Sequence, residues 1–164
     1  MPLRVAVIGA GAAGLCALRH LTARPNVFNA LGFEQTSNVG GTWVYTEDTG
    51  IDRNGLPIHS SMYKNMTTNL PVEVMAFPDF PFNEDLPSFV KHTDVCQYLA
   101  DYTDHFHLRE HIRVGKTMYQ LTALGVKEKQ SCHIVLQGWY VSGKNRVLDR
   151  AVGKTWYLPE SFIY

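Results

Sequence analysis

Between residues 4 and 34 the apolar positions change period twice. Val5, Ala6, Val7 and Ile8 form an unbroken apolar run, β-branched at three of four positions, which predicts a strand buried on both faces in a parallel sheet. Over residues 12–23 the spacing changes: Leu15, Leu18 and Leu21 recur every three positions on one helical face, and Pro25 stops the pattern. A second apolar stretch at residues 27–33 predicts the next strand, so the opening third of the chain reads as strand, helix, strand.

Further along, turn formers dominate residues 44–62 and no apolar period is present, which predicts a loop. Residues 77–82 hold three phenylalanines and two prolines; proline removes a donor and fixes φ, so neither a helix nor a central strand fits. That segment is a rigid aromatic wall, either over a ligand or plugging a core. Residues 91–106 predict a helix, with Val95, Tyr98, Leu99, Tyr102 and Phe106 on one face and Thr93 as N-cap. An extended run is expected over residues 112–124, and residues 133–136 with 139–141 predict a hairpin-type pair around Gly138. Beyond Gly143 no period of 2 or 3.6 is visible.

Composition narrows the function classes. At 164 residues the chain has the length of one ordinary domain, able to bury about 68–70% of its unfolded surface. Lys and Arg number 15, as do Asp and Glu, so the formal net charge is zero and no nucleic-acid or anionic-membrane footprint follows. Cys16, Cys96 and Cys132 are far apart and odd in number, which predicts reduced thiols. Residues 3–18 imitate a secretory signal, but three glycines within them break the helix such a signal needs. No run reaches the ~20 apolar residues that span a bilayer, so the expectation is a soluble chain or one attached at most to a surface.

The chemistry-bearing stretch lies where the first strand meets the first helix. Gly9, Gly11 and Gly14 are spaced G-x-G-x-x-G: Gly9 for the tight turn, Gly11 for close approach of the backbone to a pyrophosphate, Gly14 for close packing of helix on strand. The unpaired amides and dipole at that helix start favour an anion. Glu34 stands 20 residues beyond Gly14 at the end of the second predicted strand, where an acidic residue accepts hydrogen bonds from an adenosine ribose. The competing reading is a glycine-rich βα turn that binds nothing. Gly40 and Gly41 follow shortly, and two adjacent glycines let the backbone pass tightly beside a ligand. His105, His107 and His111 cluster without further ligands or supporting carboxylates in place, and no metal site is expected.

Four pieces of the chain together resemble the N-terminal part of flavin-containing monooxygenases of the dimethylaniline monooxygenase kind, particularly the insect-type branch that includes alkaloid N-oxygenases. They are GAGAAG at residues 9–14, FEQ and GGTW within 33–43, YKNMTTNLPVEVMAFPDFPF at 63–82, and YLADYTDHFHLREHIRV at 98–114. The resemblance runs from about residue 3 to about residue 141. It implies an α/β fold: a Rossmann-like FAD-binding βαβ unit with additional strands, forming an incomplete FAD/NAD(P)-binding domain. It implies that Gly9, Ala10, Gly11, Ala12, Ala13 and Gly14 hold the FAD pyrophosphate, that Glu34 with Gln35 meets the ribose, and that Gly41, Thr42 and Trp43 line the flavin. Thr68, Asn69 and Leu70 would sit where flavin and NADPH meet, with Asn69 as the catalytic amide, and the aromatic wall would serve that function.

The implied reaction is NADPH-driven transfer of one oxygen atom from O2, through a C4a-hydroperoxyflavin, to the nitrogen or sulfur of a small amine or sulfide. The implied location is the cytoplasm, including the surface of the endoplasmic reticulum. No second glycine-rich motif for NADP is present, so residues 1–143 are expected to be a partial FAD-binding domain, 144–164 a divergent tail, and the NADPH-binding domain absent. Two alternatives stay open: a non-catalytic FAD-binding fragment, and an NAD-linked dehydrogenase, which the GGTW and FPDFPF pieces disfavour.

Overall fold

Among the described residues, strand β1, Leu3–Ile8, lies inside a five-stranded sheet with neighbours on both sides. The computed structural model describes residues 1–51, 58, 62–115, 131–136 and 155–157. Helix α1, Ala12–Thr22, follows β1 and leads to β2, Phe28–Phe33, which pairs parallel with β1 from Leu3↔Phe28 to Ile8↔Phe33. Beyond the connection through α2 (Val72–Met75) and α3 (His92–His105) come β3, Ile112–Arg113, then β4, Ser131–Leu136, and β5, Thr155–Tyr157. Among the described residues the order across the sheet is β3-β2-β1-β4-β5, with only β5 antiparallel to its neighbour.

That order has a functional consequence. The chain steps from β1 to β2 on one side, while β4 flanks β1 on the other, so the order reverses at the carboxyl end of β1. A crevice opens at such a reversal, and ligands of open α/β sheets bind there. Residues 9–14 occupy that end.

The expected strand-helix-strand opening is present with its bounds shifted by one or two residues. Val5, Val7, Leu15 and Leu18 are buried: Val5 is 4% exposed and the other three have no measurable exposure. A Cβ built on Gly32 would fall 2.7 Å from Leu18 Cδ1, so the bare residue in β2 is what lets α1 settle onto the sheet.

Other expectations are met in part, lie partly outside the described residues or, for one helix cap, are corrected. Residues 133–136 are a strand, but within the described residues β4 is paired with β1 and β5; residues 139–141 lie outside the described part. β5 also places a strand in the stretch that shows no period, since three residues are too few to register one. Of the extended run at 112–124, residues 112–113 form β3, and 116–124 fall outside the described residues. Helix α3 starts at His92 with Lys91, not Thr93, as N-cap, because the Asp94 carboxylate reaches back to the Lys91 N–H at 3.0 Å. The four-residue α2 was not anticipated; Pro71 ahead of it and Glu73 in its first turn are the local signals.

The aromatic segment packs inward on α3. Phe82 stacks on Tyr98 with centroids 3.7 Å apart and planes 8° apart, and Phe77 lies 4.4 Å from the Tyr102 ring. Phe80 meets Tyr102 edge-on at 5.5 Å. The Tyr98 hydroxyl donates to the Phe80 carbonyl at 2.6 Å and accepts the Phe77 N–H at 2.7 Å, clamping the Phe77–Phe80 turn. The wall therefore fills the core between this turn and α3. Its rings find partners on the helix face at i and i+4, where side chains stack one above the other.

Candidate functional site: a dinucleotide cradle at the end of β1

Gly9 closes β1 with φ +94°, a conformation open to glycine, and Gly11 stands as N-cap of α1 with no side chain capping the helix. The first amides of an α-helix lack intrahelical partners, so α1 presents donors and the positive end of its dipole at this point. Its first turn holds no acidic residue and its last turn holds Arg19 and His20, a distribution suited to an anion at the start.

Glu34 leaves the end of β2 and turns back toward this start. Its carboxylate is buried, and Oε2 accepts the Ala10 N–H at 2.7 Å. Oε1 accepts the Thr36 N–H at 2.8 Å and the Thr36 hydroxyl at 3.0 Å. A carboxylate has about four acceptor positions, so these three bonds leave one, on Oε2, beside the glycine turn. Thr36 is a partner that sequence reasoning missed; its polar loop setting carries no signal for it.

The Gly-Gly pair closes the other wall. The Gly40 N–H donates to the Ala10 carbonyl at 2.9 Å, and Gly40 and Gly41 adopt φ +124° and +57°. A Cβ on Gly41 would stand 2.9 Å from Gly11 Cα, so the two glycine pieces touch through bare backbone. This contact is the observation against which the fit of a dinucleotide is judged. Two main chains meet where no side chain intrudes, next to a helix start rich in donors and a carboxylate with an acceptor to spare. The residues present fit FAD.

Gly41, Thr42 and Trp43 form a 3-10 turn, and Trp43 packs against the core. Thr68 is buried: its N–H donates to the Val90 carbonyl at 2.8 Å and its hydroxyl accepts the Val90 N–H at 3.2 Å. Asn69 and Leu70 are exposed, as is Gln35. The structure thus joins residues 9–14, Glu34 and Gly41 directly. Thr68 to Leu70 lie on a separate segment, tied to the start of α3. His105 lies against the Phe80 and Phe106 rings. Cys16 and Cys96 are unbridged, and burial pushes both thiols above the ordinary range. Among the described residues no helix is long and apolar enough to cross a membrane.

Comparisons with known proteins identify the family. The family model "Flavin-binding monooxygenase-like" matches residues 3–143. Senecionine N-oxygenase of Tyria jacobaeae is 40% identical over 68% of this chain and 24% of its own length. Flavin-containing monooxygenase FMO GS-OX4 of Arabidopsis thaliana is 43% identical over 66% of the chain and 26% of its own length. The chain therefore spans about a quarter of these two relatives. It spans 71% of a shorter Arabidopsis protein, putative flavin-containing monooxygenase FMO GS-OX-like 11, at 41% identity. Among solved structures, S-allyl-L-cysteine S-oxygenase from Allium sativum superposes with TM-score 0.61 at 39% identity, over 71% of this chain and 28% of that one. Tmm from a Pelagibacter species gives TM-score 0.63 at 29% identity, over 68% and 27%. With a Rossmann-like sheet, a glycine cradle at its reversal point and a family match over residues 3–143, the chain belongs to the flavin-binding monooxygenase-like family.

Proposed function

We propose that this chain holds FAD at the end of β1 and is the flavin-binding part of an NADPH-dependent monooxygenase acting on nitrogen or sulfur of small nucleophilic substrates. The observation that carries the proposal is the contact of Gly41 with Gly11 beside the buried Glu34–Ala10 bond. The amides of residues 9–14 would take the pyrophosphate, and the remaining acceptor of Glu34, with Gln35 nearby, would take a ribose hydroxyl. Gly41, Thr42 and Trp43 would line the ring system, with Thr68, Asn69 and Leu70 at its reacting edge.

Bound FAD supplies the redox chemistry, by which NADPH, a proton, O2 and substrate become NADP+, water and the oxygenated substrate. The chain's own task is positioning. Asn69 is the residue proposed to contact the reacting edge, because an exposed carboxamide offers both a donor and an acceptor there. Residues 1–143 are proposed as the FAD-binding part and 144–164 as a divergent tail, a division supported by the family match ending at 143. A cytoplasmic placement, including the endoplasmic reticulum surface, belongs to the same proposal and rests on resemblance.

Anaerobic titration of the FAD-loaded chain with NADPH tests the activity. Bleaching of the flavin, followed in air by substrate-stimulated NADPH use and an N- or S-oxide product, is expected of the enzyme. Retained flavin that NADPH does not bleach is the outcome for a flavin-binding part without turnover of its own, and a folded chain that retains no flavin would overturn the proposal.

A further inference from the structure

We propose that His92 is a positioning residue that sets the spacing between the dinucleotide cradle and the segment bearing Thr68 and Asn69. The inference rests on the reading of the cradle as a flavin site. His92 opens α3 and is only 6% exposed. Its Nδ1 lies 3.4 Å from the Trp43 carbonyl oxygen and its Nε2 lies 3.2 Å from the Lys64 carbonyl oxygen. The Tyr45 ring lies against the imidazole at 5.7 Å.

These two carbonyls belong to different parts of the site. Trp43 ends the turn whose Gly41 meets Gly11, and the preceding Gly40 donates to Ala10. Lys64 lies on the segment that runs past α3 to Thr68, held there by the His92 N–H on the Met66 carbonyl at 3.0 Å and by the paired bonds of Thr68 with Val90. A continuous path therefore leads from Ala10 through Gly40 and Trp43 to the His92 ring, and on to Lys64 and Thr68. Among the residues of that path, His92 is the one whose side chain reaches both segments.

The chemistry suits a spacer. Both neighbours are carbonyl oxygens, which only accept, and imidazole is a flat ring with nitrogens on two edges. A neutral ring carries one N–H and satisfies one carbonyl, whereas an imidazolium satisfies both. Leucine would leave both carbonyls unsupported, and glutamine could support one through its amide. FAD needs the cradle and the second segment at the correct separation, because its nucleotide half sits in the first and its ring system extends toward the second. ADP needs the cradle alone.

Calorimetric titration of the full chain with FAD and with ADP, for wild type, His92→Leu and His92→Gln, separates these roles. His92→Leu is expected to weaken FAD about tenfold while leaving ADP within about twofold, and His92→Gln to fall between it and wild type. FAD affinity unchanged in His92→Leu, or FAD and ADP weakened equally, would overturn the positioning role. Should His92→Leu fail to fold, as judged by circular dichroism, His92→Gln decides by the same two ratios. A folded wild-type chain that binds neither ligand would instead overturn the flavin site itself, and the proposal with it.

Discussion

Glu34 Oε2 accepts the Ala10 N–H at 2.7 Å across 24 positions of sequence, joining the end of β2 to the turn that follows β1. The bond is buried, so removing the carboxylate strands the Ala10 amide. Glu34→Ala is expected to cost about 1–3 kcal/mol and to lower the melting temperature by several degrees. Glu34→Gln keeps an acceptor for Ala10 but turns its NH2 toward the Thr36 N–H. It is expected to lose less stability than Glu34→Ala while still weakening FAD, which thermal melts and equilibrium dialysis on both variants would check.

Gly41 tests the backbone contact from the other side. A methyl group there would lie 2.9 Å from Gly11 Cα, at φ +57°, where a non-glycine residue costs about 1–2 kcal/mol. Overpacking adds to that strain. Gly41→Ala is therefore expected to lower stability by at least about 1–2 kcal/mol in urea unfolding and to weaken FAD binding. Unchanged FAD affinity in a folded Gly41→Ala chain would count against the contact.

Two buried tyrosines on one helix face should respond oppositely to loss of their hydroxyls. Tyr98 both donates and accepts in the Phe77–Phe80 clamp, so Tyr98→Phe is expected to destabilise by about 1–3 kcal/mol. Tyr102 is fully buried and its hydroxyl has no hydrogen-bond partner among the described residues. Tyr102→Phe is therefore expected to be neutral or stabilising by up to about 1–2 kcal/mol. Urea midpoints of the two variants should move in opposite directions from wild type, or only that of Tyr98→Phe should move.

The same two groups give an alkaline pH dependence. Burial pushes both phenols above the usual 10.0, with the nearby Asp79 carboxylate adding to the rise. The folded chain then holds those protons at a pH where the unfolded chain has lost them. Their contribution is complete below about pH 10 and declines as pH rises above it. Cys16 and Cys96, raised above 9.0 mainly by burial, act in the same sense. The urea midpoint is expected to fall from about pH 9 to about pH 11, and to fall less in a Tyr98→Phe/Tyr102→Phe double variant.

Much of the fold was legible because it rests on local periodicity. Val5 to Ile8 and the leucines of α1 declare strand and helix within a dozen residues, and Tyr98, Leu99 and Tyr102 declare α3 likewise. The glycines and Glu34 were legible as a candidate site for a comparable reason, since each would serve a backbone or ribose requirement at fixed spacing. What could not be read depends on neighbours distant in sequence. The inward packing of Phe77, Phe80 and Phe82 is set by Tyr98 and Tyr102, and a run of rings and prolines looks the same over a ligand as over a core. His92 reads as one polar residue at a helix start until Trp43 and Lys64 are brought to its two nitrogens. The true N-cap of α3 was hidden by the preference of threonine for that position, which the reach of Asp94 to Lys91 overrides.

The central claim is that bare main chain around Gly11, facing Gly41 and Glu34, grips FAD. Equilibrium dialysis of the folded full chain against FAD, beside Gly11→Val, tests it most directly. The account predicts one FAD retained per wild-type chain and none by the variant, whose side chain would occupy the path of the pyrophosphate. Equal retention by a folded Gly11→Val chain, or none by folded wild type, would contradict it.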